Sequence, residues 1–113
     1  MSLRDLLPLS LREVADHAGA HIACAVALEF GGTVWRVPSH KTHPDAVRLR
    51  DLVGEAPVIT LTLTLGGHSL DVPLARRAVV RWLAERGMGT TAIAARLHMT
   101  RSTVRRYMRE GRG

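Results

Sequence analysis

This sequence has few of the residues that stabilise small secreted proteins or cross a membrane. It contains one cysteine and 4% aromatic residues among 113 positions. Cys24 therefore has no partner for an internal disulfide, and no apolar run approaches the roughly 20 residues of a membrane-spanning helix. No N-terminal segment combines a charged start with a long apolar core, as a signal peptide would. We expect a cytoplasmic protein that folds by burying its hydrophobic residues, which make up 46% of the chain.

The sequence also lacks the motifs of catalytic sites. There is no nucleophile elbow, phosphate-binding loop or H-E-x-x-H motif, and the acidic residues are scattered without pairing. Spacings that suit metal ligands do occur in His17, His21 and Cys24, and in His40 and His43. Gly19 is expected to interrupt the helix within the first group, so we interpret Cys24 as a packed thiol. We predict no enzymatic activity, no cofactor and no metal site.

Positive charge is concentrated in the C-terminal third of the chain. The net charge is +6, but residues 74–113 hold ten Arg and two Glu and thus carry +8. Residues 1–73 hold six basic and eight acidic residues and carry −2. A cationic segment joined to a slightly acidic remainder is typical of a nucleic-acid-binding module attached to a region with another role. Arginine also suits bidentate contacts with phosphate and guanine.

The segment from Gly89 to Arg109 has the pattern of a helix-turn-helix. An amphipathic helix is predicted over Leu74–Glu85, and a second helix over Thr91–Leu97. A break at His98-Met99-Thr100 separates it from a third helix, Arg101–Arg109. This spacing would place the third helix in the major groove of DNA. A solvated basic helix is the alternative interpretation.

Candidate DNA-binding residues follow from the positions within these helices. Val104 and Met108 mark the inward side of the third helix, so the arginines project outward. The first turns would read base edges, and the later arginines would contact phosphates. Thr100 is expected to cap this helix. The predicted DNA-binding residues are Thr90, Thr91, Thr100, Arg101, Ser102, Thr103, Arg105, Arg106 and Arg109.

The first part of the chain contains one pattern twice. The apolar segment Ala20–Phe30 is followed by Gly31-Gly32 and a strand-like run that ends at Val37-Pro38. The segment Leu65–Pro73 repeats the double glycine, the strand-like run and Val-Pro 35 residues later. We predict a duplicated unit of helix, double-glycine turn and short strand. The strands would pair with each other or with a partner chain, because so short a strand leaves its backbone groups unsatisfied.

The remaining helices are less uniform in their signals. Ala56–Leu65 alternates Thr and Leu, which favours a strand, but its place in the repeat and Pro57 in a first turn favour a helix, our prediction. Ser10 and Glu13 are interpreted as a capping box ahead of a helix that Gly19 ends. Asp45–Val53 is predicted to be helical. Because the helix over residues 20–30 is apolar nearly all round, its burial points to a dimer.

Together these features resemble the Mor transcription activator family, the middle and late gene activators of Mu-like phages. The similarity covers Leu65–Met108 and extends over Ala20–Gly54. In it, Gly66, Gly67 and Pro73 match the strand linker, and Arg96–Thr100 match the turn. The chain departs from the family at Leu70, where members usually carry Tyr, and at His98, where Gly is expected. A non-Gly residue at that turn position must adopt a positive φ at some cost.

The resemblance implies a homodimer whose N-terminal helices and strand form the interface. Its two recognition helices would enter successive major grooves of an imperfect inverted repeat, beside a promoter at which members contact host RNA polymerase. The acidic residues common in the N-termini of the longer members are mostly missing here.

We therefore predict a mainly α fold with two short β-strands. Residues 1–73 would form a dimerisation region, and residues 74–113 a three-helix helix-turn-helix domain that binds double-stranded DNA. The predicted function is sequence-specific regulation of transcription by a homodimer, as a phage or prophage activator. The alternative is an architectural or accessory DNA-binding protein without promoter-specific activation, and a recombinase fragment would need a catalytic half that the sequence lacks.

Overall fold

The computed structural model describes residues 1–110, which form eight helices and one two-stranded sheet. The helices are α1 (Leu3–Leu6), α2 (Leu9–Ala18), α3 (Ala20–Phe30), α4 (Pro44–Val53), α5 (Glu55–Leu65), α6 (Arg76–Glu85), α7 (Thr90–Leu97) and α8 (Arg101–Glu110). The strands are β1 (Thr33–Arg36) and β2 (Ser69–Val72). The predicted fold class, mainly α with two short strands, is confirmed. The last three residues of the predicted domain 74–113 lie outside the described residues.

The duplicated pattern seen in the sequence corresponds to a duplicated structure. One unit consists of α2, α3 and β1, and the other of α4, α5 and β2. Gly19 joins the two helices of the first unit with φ 105°, and Gly54 joins those of the second with φ 88°. These two glycines are 35 residues apart and supply a backbone conformation that other residues rarely adopt. The repeat therefore extends upstream of the double glycines to a whole helix pair.

The two strands pair with each other in an antiparallel sheet within one chain. The Gly32 amide donates to the Val72 carbonyl over 2.7 Å, and the Gly67 amide donates to the Val37 carbonyl over 2.8 Å. The two bonds are equivalent, because Gly32 corresponds to Gly67 and Val37 to Val72 in the repeat. Equivalent bonds on both sides of an antiparallel pair indicate that the two units are related by an approximate two-fold axis. Of the two alternatives for these strands, the structure shows pairing within the chain.

The first glycine of each double glycine allows a close approach between the units. A Cβ at Gly31 would lie 3.2 Å from the Pro73 carbonyl oxygen, and one at Gly66 would lie 3.1 Å from the Pro38 carbonyl oxygen. Either Cβ would also press on a carbonyl oxygen of the preceding helix, that of Ala27 or Thr62. Glycine is therefore required at the end of each helix, where the helix lies against the segment that follows the strand of the other unit.

Helix α3 lies at the centre of the molecule. It packs against α2, α4 and α6, and its buried residues are Ile22, Ala23, Cys24, Ala25, Val26 and Ala27. The expectation that this apolar helix needs a second chain for its burial is therefore wrong. Three helices of the same chain surround it: α2 from its own unit, α4 from the other unit and α6 from the C-terminal part.

Residues 55–65, for which the sequence left a strand as the alternative, form a helix, as predicted from their place in the repeat and from Pro57. It buries Val58, Leu61 and Leu65. The threonine hydroxyls donate to carbonyl oxygens of the preceding turn, which satisfies them within a helix. These bonds are Thr60 to Ala56, Thr62 to Ile59 and Thr64 to Thr60.

Two predicted helix starts differ from the structure. Helix α2 begins at Leu9, with Pro8 before it and no side-chain cap, so Ser10 lies inside the first turn and forms no capping box. Pro8 favours a helix start at this position, because its fixed φ suits the entry to a helix. Helix α6 begins at Arg76, since Ala75 adopts the left-handed conformation with φ 50°. No helix within residues 1–110 is long and apolar enough to cross a lipid bilayer.

Candidate DNA-binding surface

Helices α6, α7 and α8 pack around a shared apolar centre. Each of the three contacts the other two. Ile93 of α7 and Val104 of α8 are fully buried, and Ala94 is buried where α7 and α8 approach each other. Met108, predicted to face inward, is half-buried against the same centre. Short side chains at such a crossing allow two helices to come close, so the second and third helices hold a fixed relative orientation.

A tight turn links α7 to α8 at His98. This residue adopts the left-handed conformation, with φ 54° and ψ 47°, and the Met99 amide donates to the Ala94 carbonyl over 2.9 Å. The positive φ predicted for a non-glycine residue at this position is thereby observed. Histidine accepts this conformation at some cost, which the packing of the two helices must offset.

Thr100 caps helix α8, as the sequence predicts. Its Oγ1 accepts a hydrogen bond from the Thr103 amide at 3.3 Å and donates to Thr103 Oγ1 at 2.9 Å. The cap satisfies one of the free amides at the start of the recognition helix. Thr100 is exposed and Thr103 is half-buried, and the hydroxyls of both are engaged in hydrogen bonds at the start of the helix.

The outer side of α8 is an exposed basic surface. Arg101, Arg105 and Arg109 follow each other at intervals of four residues and thus form one stripe along the helix. All three are exposed, as are Ser102 and Arg106 beside them. None of the salt bridges found among residues 1–110 includes Arg106 or any of the three arginines of this stripe. We call Arg101, Arg105 and Arg109 the arginine stripe.

The opposite edge of α8 is fixed to α6 by Tyr107 and its neighbours. The Arg77 guanidinium lies over the Tyr107 ring at 5.2 Å, and the Arg106 guanidinium lies 5.4 Å from the same ring. Arg77 Nε also pairs with Glu110 Oε2 at 3.1 Å. Arg77 thus positions the recognition helix, a role that sequence reasoning missed.

The helix-turn-helix is also attached to the duplicated region. Trp82 Nε1 donates to His21 Nδ1 over 3.1 Å, and Arg96 Nη2 lies 3.4 Å from Glu29 Oε1. Within the domain, Arg76 Nη1 donates to the Leu97 carbonyl over 2.5 Å and so fixes the end of α7. These contacts join helices distant in sequence, which explains why no local pattern predicted them.

The residues with metal-ligand spacing have other partners. His21 accepts the bond from Trp82, and Cys24 is buried with its Sγ 3.9 Å from the Ala78 carbonyl oxygen. Burial, with a smaller contribution from the charge of Glu85, raises the pKa of the Cys24 thiol to about 12. His17 lies on α2, beyond the chain reversal at Gly19. Within residues 1–110, no three such side chains converge on one point.

The remaining predicted residues lie at the start of α7 and around β2. Thr90 and Thr91 open α7, where Gly89 precedes the helix and no side chain caps its amides. Thr90 also contacts Met108, with its Oγ1 3.8 Å from Sδ, and is half-buried, whereas Thr91 is exposed. The strand-linker residues Gly66, Gly67 and Pro73 lie around β2, which ends three residues before α6 begins.

Three packed helices, the cap of Thr100 at the start of α8 and a basic outer face define a helix-turn-helix protein of the DNA-binding class. Comparison with known families agrees, because residues 72–112 match the model of a homeodomain-like domain. That match covers α6, α7 and α8 and is not specific to the Mor family. No curated protein and no solved structure matches the chain.

Proposed function

We propose that this chain is a sequence-specific DNA-binding regulator of transcription that acts as a homodimer on an inverted-repeat site. The observation that carries the proposal is the arginine stripe. Its three arginines are exposed and take part in no salt bridge among the described residues, and they lie on α8, the second of the two helices that the turn at His98 joins. Following the Mor resemblance, we propose that it is a phage or prophage activator that contacts host RNA polymerase. It would act in the cytoplasm, without enzymatic activity.

In this mechanism α8 enters the major groove by its first turns. Arg101, Ser102 and Arg105 would contact base edges, because the start of a recognition helix lies deepest in the groove. Arg106 and Arg109 would neutralise phosphates on the groove wall. Sequence would be read by the first set, and affinity would come mainly from the second.

The start of α7 would bind a further phosphate. The amides at this helix end have no side-chain cap, and Thr91 exposes its hydroxyl beside them. A helix N-terminus favours an anion through its free amides and its dipole. Because α7 and α8 are packed together, this contact would fix the angle at which α8 enters the groove.

An architectural or accessory role is the second candidate. It is favoured by the pairing of β1 with β2 within one chain, which leaves the sheet already formed without a partner chain. A protein with one recognition helix per folded unit would hold DNA without reading a symmetric site. DNase footprinting separates the two roles, because a regulator protects a symmetric site near a promoter and an architectural protein protects DNA diffusely.

The proposal is tested by selecting preferred sites from random double-stranded DNA and measuring affinity by fluorescence anisotropy. Arg101→Ala or Arg105→Ala should weaken binding to the selected site about tenfold or more, with a smaller effect on unrelated DNA. Arg48→Ala, an exposed arginine on α4, is the matched control and should bind as the unchanged protein does. Equal affinity of all four proteins for selected and unrelated DNA would refute sequence-specific recognition.

A further inference from the structure

A cleft of about 170 Å³ lies where the duplicated region meets the helix-turn-helix. Residues at the end of α3 form one side of it, and residues of α6 and of the end of α7 form the other. A molecule held there would therefore contact both parts of the chain, beside the turn at His98. We call this space the junction cleft.

The walls of the junction cleft are largely apolar. Their apolar side chains are those of Ala27, Leu28, Leu74, Val79 and Leu97. Leu28 and Leu97 are half-buried and Leu74 is 50% exposed, so these three leucines still present apolar surface that the chain does not cover. A concave apolar surface with a few polar groups is the usual form of a small-molecule site. An apolar cavity of about 150 Å³ is large enough to hold benzene, so a single ring fits this volume.

The charged groups that line the junction cleft are cationic. Arg76 and Arg96 belong to its lining, which includes no acidic residue within the described part of the chain. Arg76 is half-buried, and of its five N–H groups one donates to the Leu97 carbonyl while the hydrogen bonds described for residues 1–110 occupy no other. Arg96 lies 3.4 Å from Glu29, just outside the lining. Two guanidinium groups against one carboxylate leave one positive charge to be balanced.

We propose that the junction cleft binds a small organic carboxylate, with an apolar body the size of one ring or a short branched chain. The body fills the space between α3 and α6. The carboxylate accepts hydrogen bonds from the remaining N–H groups of Arg76 and from Arg96, because a guanidinium binds a carboxylate through parallel charge-assisted bonds. The two arginines disfavour a cationic ligand, and a neutral molecule of the same shape gains only the apolar contact.

A ligand in this position acts on the turn that orients α8. The bond from Arg76 to the Leu97 carbonyl fixes the end of α7, and His98 beside it adopts the left-handed conformation. A carboxylate on the other N–H groups of Arg76 holds the guanidinium where that bond needs it. Because the cleft exists only in the folded chain, binding also raises the temperature of unfolding as the ligand concentration increases.

The test uses benzoate as the probe and benzamide as the uncharged molecule of the same shape. Heteronuclear NMR of the isotope-labelled protein follows the amide signals of Leu28, Val79 and Leu97. Benzoate should shift these signals along a saturable curve at concentrations on the order of 1–10 mM. Benzamide should bind about tenfold more weakly, because it cannot form the charge-assisted bonds. No saturable shift with benzoate, or equal binding of benzamide, would overturn the proposal.

The internal repeat supplies a matched pair of variants. Leu28→Glu places a carboxylate in the cleft and should abolish the shifts caused by benzoate. Leu63 stands at the equivalent position 35 residues later and is 80% exposed, so Leu63→Glu makes the same charge change away from the cleft. It should bind benzoate as the unchanged protein does. Equal binding by the two variants, with the same helix content by circular dichroism, would contradict the assigned site.

A second pair of variants applies if Leu28→Glu does not fold. Arg96→Gln, at an exposed position, should weaken benzoate binding several-fold, whereas Arg48→Gln, at an exposed position of α4, should leave it unchanged. Equal affinities would refute the role of Arg96. These outcomes do not depend on DNA: saturable benzoate binding without sequence-specific DNA binding refutes only the proposed function, and the reverse result refutes only the ligand site.

Discussion

At the residue scale, Trp82 and His21 make the contact that most directly joins the helix-turn-helix to the duplicated region. Trp82 is fully buried and donates its indole N–H to His21. His21→Leu should remove this hydrogen bond and lower the free energy of unfolding by about 0.5–1.5 kcal/mol, since His21 is exposed and water can reach the freed donor. Urea denaturation measures the loss. His17→Leu, at an exposed position of α2, is the control, and an equal loss in both variants would contradict the assigned bond.

Cys24 should be chemically inert in the folded protein. Its pKa of about 12 leaves the thiol neutral at mildly alkaline pH, and thiol reagents attack the thiolate. We expect no reaction with a thiol reagent in native buffer and complete reaction after denaturation. Stability should also fall as pH rises above the ordinary thiol pKa of about 8.5, because only the unfolded chain then ionises this group. Prompt modification of the native protein would contradict the burial.

Residue contacts could be predicted from the sequence only where they are local. The Thr100 cap depends on neighbouring residues, so the local pattern indicated it, whereas the left-handed turn at His98 was expected from the family resemblance, in which Gly stands at that position. The bond from Arg76 to the Leu97 carbonyl spans 21 residues, and that from Trp82 to His21 spans 61. No short pattern in the sequence signals such pairs, because the fold alone brings them together.

At the element scale, the turn between α7 and α8 contains a local cost that can be removed. His98→Gly should raise the free energy of unfolding by about 0.5–1 kcal/mol, since glycine adopts a positive φ without steric penalty. Ala75→Gly, with φ 50° ahead of α6, should act in the same direction. Thermal unfolding measures both. His40→Gly, whose φ is not positive, is the control and should not stabilise the protein.

The double glycines should respond alike to substitution, because the repeat places them in equivalent positions. Gly31→Ala and Gly66→Ala should each lower stability by about 1–3 kcal/mol, the usual range for overpacking. Gly89→Ala is the control for the clash, since a Cβ there would meet nothing within 4 Å and any loss reflects only the exchange of glycine for alanine at the N-cap of α7. Chemical denaturation compares the three. A large loss at Gly31 with none at Gly66 would contradict the approximate two-fold relation.

Element types followed from the sequence more reliably than helix starts and burial. The Thr–Leu alternation of α5 favours a strand, and the helix was indicated by its place in the repeat and by Pro57 in the first turn. The start of α2 was misplaced because proline begins a helix without the capping box that Ser10 and Glu13 suggested. The apolar character of α3 correctly indicated burial, but hydrophobicity does not say which chain provides the cover.

At the scale of the whole molecule, DNA affinity should depend steeply on salt. Each phosphate contact contributes a slope of about −0.9 to log K against log salt concentration. Arg109→Ala should weaken binding to all sequences and reduce that slope by about 1. Titrations of unrelated DNA at several salt concentrations measure it, with Arg48→Ala as the control. An unchanged slope would show that Arg109 does not contact a phosphate.

The architecture could be predicted in outline but not in its assembly. The helix spacing indicated the three-helix unit that α6, α7 and α8 form, and the division into residues 1–73 and 74–113 stays a prediction. The sequence left open whether β1 and β2 pair within one chain, because strand propensity does not depend on which chain supplies the partner. The candidate site residues remain predictions of DNA contact.

The pairing of two equivalent units within one chain has a consequence for dilution. A contact between separate molecules is lost as their concentration falls, whereas units joined by the peptide chain keep the same stability at any concentration. The region around β1 and β2 therefore stays folded in a cell that holds only a few copies of the protein.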